Sequence, residues 1–162
     1  MIKAQPTKDE SIQGLIEARQ DILQTISRLS PSEQDRVYLG NWSVKDLLAH
    51  LAGWDYANLQ AAQSVLAGEV PGFYAYHDHD WNTYNARLVA QYKKGDFAEL
   101  LASVQASHRQ LVDYLKTIPE GPFNKDMGVR FKGYKVTIGR LVQAEASDER
   151  EHTEQIREAF SL

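Results

Sequence analysis

Apolar residues recur every three or four positions through four long stretches of the chain, the spacing of one buried face on an α-helix. In the first stretch, residues 7–29, the rhythm is carried by Ile12, Leu15, Ile16, Ile22, Leu23, Ile26 and Leu29. Ser30-Pro31 closes it, because proline cannot donate to the helical ladder and restricts the residue before it. The second covers residues 44–67 through Val44, Leu47, Leu48, Leu51, Leu59, Val65 and Leu66. Ser43 stands at its N-cap, with Asp46 three residues on near the positive helix end. Gly68 and Pro71-Gly72 end it. The third covers residues 80–118, with Lys94-Gly95-Asp96 as a point of kinking or interruption and Pro119 as its stop. Beyond that point Phe97, Leu100, Leu101, Val104, Leu111, Val112 and Leu115 repeat clearly. The fourth covers residues 138–160 behind a Thr137 cap. Residues 68–79 and 120–136 are the long connections, and the second alternates weakly around Val129, Phe131, Tyr134 and Val136, as a short irregular or extended segment would. Four long amphipathic helices predict an all-α four-helix bundle. A length of 162 residues fits one domain, 1–162.

Composition narrows the chemistry. At 43 % hydrophobic and 25 % charged residues the chain has the balance of a globular protein with a real core. It has no cysteine, which excludes disulfides, thiolate zinc sites and cysteine nucleophiles, so any metal must be held by nitrogen and oxygen. Net charge is −4 and the pI near 5.7, with acidic and basic residues interspersed. Without a concentrated basic face, no nucleic-acid partner is expected. No apolar run approaches the roughly 20 residues of a membrane span, and the first ten residues have no apolar signal core. The expectation is therefore no membrane partner and a cytoplasmic location.

The fourth helix breaks its own pattern. Ile138, Leu141 and Val142 begin the inward stripe, and Ile156 and Phe160 end it. Between them the same phase passes through Glu145, Asp148 or Glu149, and His152. Unpaired, such groups would cost several kcal/mol to bury; either that face is exposed or a partner such as a cation compensates. Asp148 and His152, four residues apart, share a face one turn apart. Carboxylate and imidazole both ligate zinc, nickel, iron or manganese, although the same spacing also serves surface ion pairs. On the second helix His50 lies between Leu47 and Leu51, one turn before Trp54. It is either a core-edge histidine donating to a backbone carbonyl or a third ligand. Two helices each turning coordinating groups inward favour an open metal site of His50, Asp148 and His152.

Other candidates are looser. Glu149 or Glu145 could orient a ligand or act as general base, or could be ordinary surface glutamates. His77 and His79 lie in a polar loop as possible lid residues, and Asp78 or Asp80 could cap the third helix. His108 reads as packed or half-exposed. Trp54, Tyr56, Phe73, Tyr74, Tyr76, Trp81 and Tyr84 crowd around the second helix and the following loop; Trp54, His77, His79 and Trp81 are the candidates for lining a small-molecule pocket. Trp42, just before the Ser43 cap, fits a hydrophobic staple.

At these residues the chain resembles the DinB/YfiT-like superfamily of four-helix proteins with a metal site. Trp42-Ser43-Val44-Lys45-Asp46-Leu47-Leu48-Ala49-His50-Leu51 is similar to that family's W-S-x-x-D-L-x-x-H-L second helix, and Asp148-Glu149-Arg150-Glu151-His152-Thr153-Glu154-Gln155-Ile156 to its H-x-x-x-H-x-x-Q-I fourth helix. Trp81-Asn82 after an acidic loop resembles members near the ClbS/DfsB and mycothiol-dependent maleylpyruvate isomerase-like branches. The resemblance implies that His50 and His152 take two of three metal-histidine positions. Asp148 stands at the third, where a shorter side chain brings a negative charge. It further implies a divalent metal, zinc or nickel foremost, a low-molecular-weight thiol as a possible cosubstrate, and a homodimer. The implied activity is metal-dependent transfer, isomerisation or hydrolysis on a small-molecule substrate. The alternative is a non-catalytic binding, sequestering or stress-response protein whose metal site is degenerate or purely structural.

Overall fold

Each helix start carries its own local code. Thr7 Oγ1 accepts from the Glu10 amide at 3.1 Å while Glu10 Oε2 accepts from the Thr7 amide at 2.8 Å, a reciprocal capping box. It opens α1, Lys8–Ser27, in a computed structural model that describes residues 4–76 and 81–162. Ser30 and Glu33 form a second box, and Pro31, which needs no helical N–H partner, begins the short α2, Pro31–Asp35. The expected stop is thus also a start. The chain reverses at residues 39–42, where the Trp42 amide donates to the Leu39 carbonyl at 2.8 Å and Gly40 adopts a φ of 55°. At α3, Val44–Leu66, Asp46 Oδ2 accepts from the Ser43 amide at 2.8 Å.

A 3₁₀ turn, Gly72–Tyr76, follows. The interruption expected near Gly95 is complete. Helix α4, Asn82–Tyr92, stops short of it, Gly95 sits at a φ of 81°, and an Asp96–Glu99 box starts α5, Phe97–Thr117. Trp81 occupies the N-cap position of α4; Asp78 and Asp80 lie outside the described residues. The long connection holds a one-turn α6, Glu120–Asn124, and an antiparallel pair, β1 Arg130–Phe131 with β2 Tyr134–Lys135. Thr137 Oγ1 accepts from the Arg140 amide at the start of α7, Ile138–Phe160.

The architecture is an all-α bundle in which α1 packs along α7 and α3 along α5, with α4 laid on α3. Its apolar interior divides into two clusters. One gathers Ile12, Leu15, Ala62, Val65, Leu111, Leu115, Phe123, Ile138 and Val142; the other gathers Ile22, Ile26, Leu47, Leu48, Leu51, Leu100, Val104, Ile156 and Phe160. Every long helix contributes to both, α1 and α7 running from the first to the second and α3 and α5 the other way. Each fully buried large aliphatic side chain contributes roughly 1.5–3 kcal/mol, so both ends are well anchored. Between them each helix passes through a polar level, and that level holds the site. Among the described residues no helix is long and apolar enough to cross a membrane.

Candidate functional site

The four long helices each supply one side chain to a buried ionic network. Arg19 of α1 donates to Asp55 of α3 through Nη1 and Nη2, at 2.9 and 2.8 Å, and through Nε to both Glu149 oxygens of α7, at 3.1 and 3.2 Å. Ser107 of α5 donates to Asp55 Oδ2 at 2.6 Å. Burial works against the guanidinium charge, but Glu149 and Asp55 outweigh it and hold Arg19 above its ordinary pKa. Sequence reasoning missed Arg19, Asp55 and Ser107. The signal was present: Arg19 falls in phase with Ile12, Leu15, Ile22 and Ile26, and Asp55 with Leu48, Leu51 and Ala62.

One turn away the structure brings together His50, Asp148 and His152. Because α3 and α7 run in opposite directions, His50 near the start of one meets the middle of the other. Asp148 Oδ2 lies 3.5 Å from His50 Nε2 and 3.3 Å from His152 Nε2. One ligand atom from each residue lies within 4.8 Å of the other two. Both histidines are buried, while the Asp148 side chain is 45 % exposed and opens the cluster to solvent. His152 Nδ1 is 2.8 Å from Gln155 Oε1; with Nδ1 as the donor, the Nε2 lone pair faces Asp148. Both ring nitrogens of His50 are buried, and among the described residues neither has a close hydrogen-bond partner, the nearest carboxylate oxygen being Asp148 Oδ2 at 3.5 Å. Burial depresses the His50 pKa against the pull of Asp148. Burial also opposes charge on His152, but Asp148 and Gln155 raise it. Asp148 pays its own burial cost and is still held far below the usual carboxylate range by the two histidines. Three electron-pair donors thus converge on a point that a cation would satisfy.

These residues form one wall of a cavity of about 780 Å³. Trp42, Trp54, Phe73, Tyr74, Trp81 and Leu141 give it apolar walls, and Asn58, Asn85 and Glu145 give it polar points. Trp54 is fixed edge-on to Phe73, Trp81 and Tyr84 at 5.2–6.1 Å between ring centroids, and its Nε1 donates to Asn85 Oδ1 at 2.8 Å. Of the four residues expected to line a pocket, Trp54 and Trp81 line this cavity, and His77 and His79 lie outside the described residues. Trp42, expected to staple its helix, faces the cluster: its ring centroid lies 4.9 Å from that of His50 and 6.4 Å from that of His152.

The two glutamates separate. Glu149 does not line the cavity, and Arg19 occupies its carboxylate from the opposite side. The expectation that Glu149 is a general base is corrected, because a base must reach the substrate with a free lone pair. Glu145 does line the cavity. Its Oε2 accepts from Asn58 Nδ2 at 3.2 Å and its Oε1 is buried without a partner. Burial first, and the nearby carboxylates of Glu149, Asp148 and Asp55 second, push its pKa well above the ordinary value. His108 lies away from the cavity and is half-buried, as expected.

Residues 14–156 match the family described as the DinB superfamily, and the chain belongs to it. Solved structures share the fold at low identity. An uncharacterised protein from Escherichia coli UTI89 is 17 % identical, with a TM-score of 0.75 over 98 % of this chain and 94 % of that one. The colibactin self-resistance protein ClbS, in complex with a dsDNA, is 18 % identical, with a TM-score of 0.78 over 97 % and 98 %. DfsB, described as a sibling lethal factor precursor, is 18 % identical, with a TM-score of 0.77 over 96 % and 95 %. The ClbS complex overturns the expectation that a nucleic-acid partner is excluded. That expectation required a strongly basic chain, whereas phosphate contacts need only local donors, which a fold of this kind can present.

Proposed function

We propose that the chain is a divalent-metal-dependent enzyme acting on a small molecule, with His50, Asp148 and His152 as the ligands. The observation that carries it is the convergence of three donor atoms within 4.8 Å of one another at the wall of a large cavity, with His50 buried and unpartnered. The donor set suits a nitrogen- and oxygen-seeking ion, zinc or nickel foremost. Three protein ligands leave room for a substrate or water. When bound, such an ion supplies Lewis acidity, polarising a substrate oxygen or sulfur or lowering the pKa of water or a thiol.

The chain's own residues supply the rest. Gln155 orients His152 through Nδ1, the outer-shell role that ligating histidines usually require. Trp42 covers His50 and excludes water from that side. Glu145, held by Asn58 and with its pKa pushed upward by burial and the neighbouring carboxylates, places Oε1 where it can exchange a proton or hydrogen bond with a substrate in the cavity. With no cysteine in the chain, a thiol nucleophile would enter as a cosubstrate. Transfer, isomerisation and hydrolysis all fit this arrangement.

The test is turnover of an activated ester, and of a small electrophile with a low-molecular-weight thiol, by protein stripped with chelator and then reloaded with zinc or nickel. Turnover restored by metal and lost in His50→Ala supports the enzyme; turnover indifferent to both refutes it. The second reading, a protein that binds without chemistry, draws on the aromatic walls and on ClbS, named as a self-resistance protein and crystallised with dsDNA. Ligand binding that survives loss of His50 and His152 would favour it.

A further inference from the structure

The charge that is dispersed along the rest of the chain is concentrated at one place. Residues 125–140 carry Lys125, Arg130, Lys132, Lys135 and Arg140 against a single carboxylate, Asp126. This segment is net +4, which leaves −8 on the remainder of a chain that totals −4. All five cationic residues are exposed. The fold gathers them onto one projection. Arg130 pairs with Lys135 across the two-stranded ribbon, and the turn at its tip is closed by Lys132 and Gly133 at φ values of 49° and 81°. Arg140, on the first turn of α7, donates to the Lys135 carbonyl at 3.2 Å and so joins the patch.

Asp126 faces two of these cations. It takes Arg130 through two bonds, at 2.7 and 2.8 Å, and lies 3.8 Å from Lys135. Tyr134 stands on the same ribbon 75 % exposed, the most exposed large hydrophobic residue among those described. The ribbon is firmly seated beneath. Val129 and Val136 are buried, the Val136 amide donates to the Val129 carbonyl at 3.0 Å, and Phe131 stacks on Tyr74 at 4.2 Å. A rigid ribbon presenting several cations around one exposed ring matches the recurring way that proteins hold a phosphodiester backbone and stack an aromatic on a sugar or base. It matches a membrane poorly, because surface insertion needs a broad apolar face and the Phe131 ring is already taken.

We propose that this ribbon, with Arg140, is a docking surface for nucleic acid, Lys132, Lys135 and Arg140 contacting phosphates and Tyr134 packing against a sugar or base. The surface is separate from the His50–Asp148–His152 cluster and does not depend on it. Tyr74, under Phe131, belongs to both the ribbon's seat and the cavity wall.

The experiment is fluorescence anisotropy with short labelled single-stranded and duplex DNA at low salt, with circular dichroism melting as a folding control. The native protein binds at least one form, and log K falls with log salt at a slope of about 2 to 3, as expected for a few released counterions. Lys132→Gln/Lys135→Gln/Arg140→Gln melts normally and binds at least roughly tenfold more weakly, Tyr134→Ala also weakens binding, and His50→Ala binds as the native protein does. Absence of binding to either DNA, undiminished binding by the folded triple variant, or binding only to vesicles of anionic phospholipid would overturn the proposal.

Discussion

Arg19 grips Asp55 through two hydrogen bonds, at 2.8 and 2.9 Å, at a level of the bundle where both side chains are buried. Glu149 closes the guanidinium from the other side. A charged layer of this kind adds little net stability compared with a well-packed apolar one, but it punishes the loss of a single member. Its position ties all four long helices together beside the candidate metal cluster.

Arg19→Met should therefore cost about 3–5 kcal/mol, because it strands two buried carboxylates. Replacing Arg19, Asp55 and Glu149 together by apolar residues of similar size should cost less than that single change. Urea unfolding of the two variants measures the difference. A single variant within about 1 kcal/mol of the native protein would mean that the carboxylates are not stranded by its loss.

His108 gives a pH prediction with a definite sign. Burial first, and the Arg19 charge second, depress its pKa to about 4 against the opposing pull of Asp55. The folded state thus binds the proton less readily than the unfolded one. The corresponding stability is fully present above the unfolded pKa near 6.5 and is lost as pH falls toward 4. Its Nδ1 is buried without a partner, so His108→Leu sacrifices no hydrogen bond there. Between pH 7.5 and 4.5 the variant should lose less stability than the native protein, by on the order of 2 kcal/mol. Parallel losses in the two proteins would show that His108 is not the responsible group.

Gly53 sits mid-helix, where alanine ordinarily gains about 1 kcal/mol. Here a Cβ would lie 2.8 Å from Leu88 Cβ on α4. Gly53→Ala should instead destabilise by about 1–3 kcal/mol through overpacking. It should also loosen α4, whose Asn85 holds Trp54 at the cavity wall. Thermal melting checks this. A Gly53→Ala protein more stable than the native one would show that α4 yields freely.

The helices were legible because amphipathic spacing and capping residues act locally. Thr137 and the Gly95 interruption are cases where sequence and structure agree. The small elements were legible only in part: Pro31 both ends one helix and begins another, and the weak alternation over residues 129–136 marked an extended segment without showing its pairing, since each strand has only two residues. In the site, His50, Asp148 and His152 could be singled out because α7 turns two whole turns of polar residues inward. Arg19 and Asp55 each interrupt an apolar stripe only once, which resembles an ordinary boundary residue until the partner helix is known. The choice between Glu145 and Glu149 could not be made from spacing, since the direction of each carboxylate depends on where α1 delivers Arg19.

The decisive measurement is metal content by mass spectrometry, on protein purified without chelator, for the native chain, His50→Ala and His152→Ala. Native protein should retain about one divalent ion per chain, and each variant, folded by circular dichroism, should lose most of it. Equal metal in the native and variant proteins, or none in a native protein offered excess zinc and nickel, would contradict the proposed metal site.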